Sequence, residues 1–265
     1  MRSLGLAAAL AALVLAGCAA NKPGAPTTDT KDRVTASDQP AASKRANVRL
    51  ELAGAYFAQG QLSTALDEVK LAIAADPNMS EAFNLRGLIY AAMAEDTLAQ
   101  ESFRRALQLN PHDADVMHNY GWYLCQQKRY AEADALFMQA LAEPRYGDVA
   151  RTLLAQGVCQ TRAGQLSEAE RTLTRAFQLD TSNPATAFNL SDVLYRRGDY
   201  ERARFYIRRV NATKEQTNAQ SLWLAARIEQ RSGNTQGASE LGAQLRNRYP
   251  QSKEAQAFEQ GRFDD

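Results

Sequence analysis

One alanine returns along this chain at a nearly constant interval. It stands at Ala65, Ala99, Ala133, Ala169 and Ala203, at spacings of 34, 34, 36 and 34, with a weaker copy on Gly237 a further 34 residues on. The best-formed unit runs from Glu81 to Pro111. Phe83, Gly87 and Tyr90 lie at i, i+4 and i+7 on one helix, and Ala99, Phe103 and Ala106 repeat that spacing on a second. Pro111 closes the unit, because proline lacks the N–H that a helix ladder needs and restricts the residue before it.

The recurrence has a steric reason. Paired helices approach to about 8–10 Å only where the facing residues are small. The first-helix contact position reads Ala53, Gly87, Gly121, Gly157, Ser191 and Ala225, facing Ala65, Ala99, Ala133, Ala169, Ala203 and Gly237. A later second-helix position, which meets the next repeat, reads Ala72, Ala106, Ala140, Ala176 and Val210 and breaks at Gln244. Gly60, Gly164, Gly198 and Gly233 mark turns within repeats, where a helix end favours glycine. A helix-turn-helix unit of about 34 residues is the period of a tetratricopeptide array. The expected fold is therefore all-α, a right-handed tetratricopeptide solenoid of about six repeats near 46–79, 80–113, 114–149, 150–183, 184–217 and 218–250. The break at Gln244 is expected where a terminal cap meets water, with one more capping helix over 252–260 and a frayed end over 261–265.

The N-terminus has another character. After Met1-Arg2, residues 4–16 form an apolar run too short to span a bilayer and suited to a signal peptide over 1–17. The run ends in Leu15-Ala16-Gly17-Cys18, which resembles the lipobox of bacterial lipoproteins; the resemblance implies cleavage before Cys18 and lipidation of that residue. Ala19, in place of an aspartate, implies the outer rather than the inner membrane. Residues 18–45 carry Pro, Gly, Thr and mixed charge without aromatic residues, a flexible tether.

Composition argues against several functions. A formal net charge of +1 offers no basic stripe for nucleic acid. The two histidines, His112 and His118, have no cysteine or acidic partner at metal-ligand spacing, and no phosphate-binding glycine loop or nucleophile–base motif is present. A non-enzymatic protein without cofactor, metal or small-molecule substrate is expected. Cys125 and Cys159 fall late in the first helices of the third and fourth repeats, either bridged or two buried free thiols.

In such an array the first helices line a groove. Its inward positions include Leu50, Phe57, Asn84, Leu88, His118, Trp122, Leu154, Phe188 and Tyr195, more apolar than a solvated groove requires, which marks a partner-binding surface. Leu50 and Gly54 stand where a carboxylate-clamp groove would carry polar residues, so capture of a peptide C-terminus by that device is not expected.

The stretch His118-Asn119-Tyr120-Gly121-Trp122-Tyr123-Leu124-Cys125, with Tyr130-Ala131-Glu132-Ala133, the run 140–146 and Gly157-Val158-Cys159, is similar to the type IV pilus biogenesis and stability lipoproteins, the PilF/PilW pilotins. That resemblance implies a lipid-anchored protein on the periplasmic face of the outer membrane, a monomer that binds the pilus secretin and promotes its outer-membrane localisation and multimer assembly. It also implies a Cys125–Cys159 disulfide. The alternative is a tetratricopeptide lipoprotein scaffold for cell-wall synthesis or outer-membrane protein assembly.

Overall fold

A computed structural model describes residues 41–263; the signal peptide, Cys18 and most of the tether lie outside them. All thirteen described elements are helices. They fall into six antiparallel pairs: α1 (Ala41–Ala58) with α2 (Leu62–Ala75), α3 (Ser80–Ala92) with α4 (Asp96–Leu109), α5 (Ala114–Gln126) with α6 (Tyr130–Ala142), α7 (Val149–Arg162) with α8 (Leu166–Leu179), α9 (Pro184–Arg196) with α10 (Tyr200–Val210), and α11 (Ala219–Arg231) with α12 (Thr235–Arg248); α13 (Lys253–Glu259) follows. Each pair packs on the next, giving a helix-turn-helix superhelix. Helix α1 begins at Ala41, inside the segment expected to be tether over 18–45. Ala41, Ala42, Lys44 and Arg45 are good helix formers, and Ala46 is fully buried, so packing carries the helix back by a turn.

The small residues lie between the coils. Ala53, Ala65, Ala99, Ala133, Ala169 and Ala203 are fully buried, as are Ala72, Ala106, Ala140 and Ala176. The three contact glycines each meet a large side chain sixteen residues on. A Cβ on Gly87 would lie 2.8 Å from the Phe103 ring, one on Gly121 3.1 Å from Phe137, and one on Gly157 2.5 Å from Leu173. Phe103, Phe137 and Leu173 are themselves fully buried. The glycines thus make room for the bulky residues that fill each layer.

Local chemistry sets the helix limits. Asp113 accepts from the Val116 N–H, Asn183 from Ala185 and Thr186 with Pro184 in the first turn, and Asn218 forms a reciprocal capping box with Ser221. The chain reverses within each repeat through one left-handed residue: Gly60, Ala94, Lys128, Gly164, Gly198 and Gly233. Their last interval is 35 residues rather than 34.

That interval corrects the sixth repeat. In α2, α4, α6, α8 and α10 the contact alanine is the fourth helical residue; in α12 the fourth is Ala238, not Gly237. Ala238 is 2% exposed, and on α11 the eighth helical residue, the position of Gly87 in α3 and Gly121 in α5, is the fully buried Ala226 rather than Ala225. Gly237 instead sits over the helix start, its N–H donated to Asn234 Oδ1 at 3.1 Å. The later packing position is then Leu245, fully buried, so the sixth repeat does not fail at Gln244. The eight residues between α10 and α11 displace the frame by one.

The far end of the solenoid is covered by α13. Gly242 receives the Phe258 ring so closely that a Cβ there would lie 1.9 Å from it. Beyond α13 the chain does not fray through residue 263. Gly261 adopts a left-handed conformation, Arg262 N–H bonds to the Ala257 carbonyl at 2.9 Å, and Phe263 returns onto α11. At the near end, Val48 and Leu52 on α1 are 55% and 39% exposed. The equivalent Val116 and Leu190 are fully buried against the preceding repeat, which α1 lacks among the described residues.

Candidate functional site

The first helix of each repeat has one side against its partner and another free to face the groove. Residues three before and one after the contact glycine share that free side, because both lie within a helical turn of each other. At the third and fourth repeats this brings His118, Trp122, Leu154 and Val158 around one open cavity of about 270 Å3, with Arg151 and Asn189 at its edge. A second cavity of about 370 Å3 shares Asn189 and is walled by Phe188 and Gln220, so the concave surface continues toward the sixth repeat.

The other expected groove residues distribute along the array. Leu50 and Phe57 pack half-buried against the first-repeat core, and Leu88 against the core around Phe103. Asn84 accepts from Asn119 Nδ2 at 3.3 Å, and Asn119 Oδ1 accepts in turn from Arg151 at 3.4 Å, an amide ladder between repeats. Tyr195 is 8% exposed and belongs to the fifth-repeat core, with the Arg227 guanidinium 4.7 Å above its ring.

His118 is a wall rather than a free group. Its ring is 6% exposed and Nδ1 lies 2.7 Å from Thr152 Oγ1, which also bonds the Tyr146 hydroxyl at 2.6 Å. Burial, with the nearby Arg151 charge acting the same way, lowers its pKa to about 4, so the ring is neutral near pH 7. His112 is solvent-exposed and pairs with Glu143 at 3.0 Å. Asp192 lies on the concave side with Arg196 at 2.8 Å; burial raises its pKa while Arg196 and Arg227 oppose the shift. Among the described residues no group of His, Cys, Asp and Glu is placed to hold a metal ion.

Behind this surface, Cys125 on α5 and Cys159 on α7 form a disulfide with Cα atoms 5.8 Å apart. It ties together the two first helices that carry Trp122 and Val158. The offset of two positions between the cysteines does not separate them: the connection 143–148 is two residues longer than 76–79, 110–113 and 180–183, and the cysteines themselves keep a separation of 34.

Several residues on this face escape a search by strict 34-residue spacing. Arg162 stands 5.1 Å over the Trp122 ring and has no carboxylate partner among the described residues. At the sixth repeat, Trp223 and Arg227 hold the position that Leu154 and Val158 hold in the fourth. Phe263 lies on them, its ring 5.2 Å from Trp223 and its carbonyl accepting from Arg227 Nε at 3.0 Å and the Tyr195 hydroxyl at 3.4 Å. The turn glycine Gly233 carried the correct frame for this repeat, and an aromatic residue so near the terminus was the signal for a docked end.

Comparison with known proteins places these features in a family. Models of the tetratricopeptide repeat match residues 80–113, 102–135 and 160–222. The chain is 28% identical over 250 residues to the type IV pilus assembly protein PilF of Pseudomonas aeruginosa, covering 94% of this chain and 95% of that one. The crystal structure of PilW, a type IV pilus biogenesis factor, superposes with a TM-score of 0.76 at 32% identity, covering 80% of this chain and 97% of PilW. The Pseudomonas aeruginosa PilF structure superposes with a TM-score of 0.74 at 26% identity, covering 84% of this chain and all of that one.

Proposed function

The chain belongs to the family of tetratricopeptide type IV pilus biogenesis factors that includes PilW and PilF, and from that membership we propose that it is a pilotin: an outer-membrane lipoprotein, anchored through Cys18, that binds the pilus secretin and promotes its localisation and multimer assembly. The observation that carries the binding part is the open apolar cavity between Trp122 and Leu154 on a face otherwise built of packed helices. An open apolar recess flanked by polar groups is what a partner side chain fills. The lipid anchor rests on Leu15-Ala16-Gly17-Cys18, which lies outside the described residues. Several acyl chains on one cysteine hold a protein at a membrane where one would not, each buried CH₂ adding about 0.8 kcal/mol.

The test is in cells. Trp122→Ala and Leu50→Asp should abolish secretin multimers while circular dichroism of the purified variants stays helical; normal multimers in both would remove the groove from the process. Cys18→Ser should leave the outer-membrane fraction, and its retention there would defeat the anchor. Co-purification of the secretin, rather than murein synthases or barrel-assembly proteins, separates this function from a scaffold for cell-wall synthesis or outer-membrane protein assembly.

A further inference from the structure

The concave face carries two copies of one slot between successive first helices, Trp223 and Arg227 of α11 standing where Leu154 and Val158 of α7 stand. At the sixth repeat an arginine, Arg227, lies 4.7 Å over Tyr195 and 6.0 Å from Trp223. At the third and fourth repeats another, Arg162, lies 5.1 Å over Trp122. Trp223 and Arg227 share α11, whereas Trp122 is on α5 and Arg162 reaches its ring from the end of α7, beside the cavity rather than in its lining. The first copy is filled. Phe263 puts its ring 5.2 Å from Trp223, and Arg227 and Tyr195 donate to its main-chain carbonyl. The second copy is open, and its cavity of about 270 Å3 is walled by Trp122, Leu154 and Val158. The chain therefore displays on itself what such a slot receives: an aromatic side chain on a segment without helical hydrogen bonds, held by its carbonyl.

The open copy differs in its charge. Arg151 is already paired with Asp148 at 3.1 Å, whereas Arg162 has no carboxylate partner among the described residues. Asn189 lines the same cavity, and with its Nδ2 donated to the Ala185 carbonyl at 2.8 Å its Oδ1 can accept from a main-chain N–H. We propose that the slot at Trp122 is a subsite for an extended acidic segment of a partner protein, which inserts one aromatic side chain between Trp122 and Leu154 and sets a neighbouring carboxylate on Arg162. This rests on the concave face being the partner surface, and it names the chemistry that the face selects. Phe263 keeps the equivalent slot at Trp223 closed, so the partner is excluded from the sixth repeat.

A direct binding experiment tests it. The probe is a blocked peptide with one Phe followed by two Asp in a Gly/Ser background, titrated into the full mature chain and followed by NMR of the two indole signals, Trp122 and Trp223. Replacing the peptide Phe by Ala should weaken binding at least about tenfold, the scale of one aromatic anchor in a pocket. Replacing its Asp residues by Lys, or Arg162→Gln in the protein, should each cost about threefold, the scale of an exposed ion pair. The Trp122 indole should shift and the Trp223 indole should not. Equal binding of the Ala peptide, indifference to Arg162→Gln, shifts confined to Trp223, or no binding at all would overturn the proposal. The assay contains no secretin, so its failure is separable from that of the pilotin function: if Trp122→Ala still blocked multimers in cells while no peptide bound, only the acidic-aromatic chemistry would fall.

Discussion

Gly157 and Leu173 are packed so closely that a Cβ on the glycine would lie 2.5 Å from the leucine Cγ. Both belong to the fourth repeat, and Leu173 is fully buried. Gly157→Ala should therefore force a side chain off its rotamer or push α7 from α8, at a cost of about 1–3 kcal/mol despite alanine's better helix propensity. Urea denaturation of the variant checks this. Unchanged stability would show that the layer has slack. Gly54, with no atom within 4 Å of its Cβ position, is the control at which alanine should be neutral or stabilising.

The disulfide between Cys125 and Cys159 closes a loop of 34 residues in the middle of the array. In the chain-entropy model its loss removes about 3–4 kcal/mol. Denaturation with and without reductant, beside the Cys125→Ser and Cys159→Ser double variant, should give matching losses. Stability that did not respond to reductant would show that the bridge contributes nothing.

Lys128 occupies a left-handed turn at φ 61° that four of the other five repeats, all but the second with Ala94, give to glycine. The steric penalty for a side chain there is about 1–2 kcal/mol, partly offset by the greater unfolded-state freedom of glycine. Lys128→Gly should raise stability by about 0.5–1 kcal/mol without changing the denaturant slope. A loss of stability would mean that the lysine side chain supports the turn through contacts worth more than the strain.

His118 has a folded pKa lowered from 6.5 to about 4. The unfolded chain takes up this proton below pH 6.5, and the folded chain does so only near pH 4, so stability is lost as pH falls through that window. Its full extent is on the order of 3 kcal/mol. The measurement is denaturation from pH 7 to pH 4 for the native chain and for His118→Asn, which should lose less over that range. Parallel curves would show that His118 titrates normally in the folded state.

Much of this was legible in the residues alone because a steric rule was repeated. A small side chain is needed wherever two helices touch, so Gly87, Ala99 and their counterparts betray both helices and their pairing. The groove residues followed from the same frame: Trp122 and Leu154 stand at fixed offsets from Gly121 and Gly157. Where the frame slipped, the inference slipped with it. Counting on by 34 placed the sixth repeat on Gly237 and Gln244, whereas the longer connection before α11 moves the contacts to Ala238 and Leu245. His118 is readable as facing inward, but its bond to Thr152 depends on how two repeats stack.

The repeat, its small contact residues and the family could be read from the residues alone, since each is written as local spacing along the chain. That Phe263 folds back onto Trp223 and Arg227, and that the slot at Trp122 is left open beside Arg162, became visible only in the folded chain. Those contacts join residues from separate turns of the solenoid, and their geometry comes from how the repeats stack, which no local period encodes.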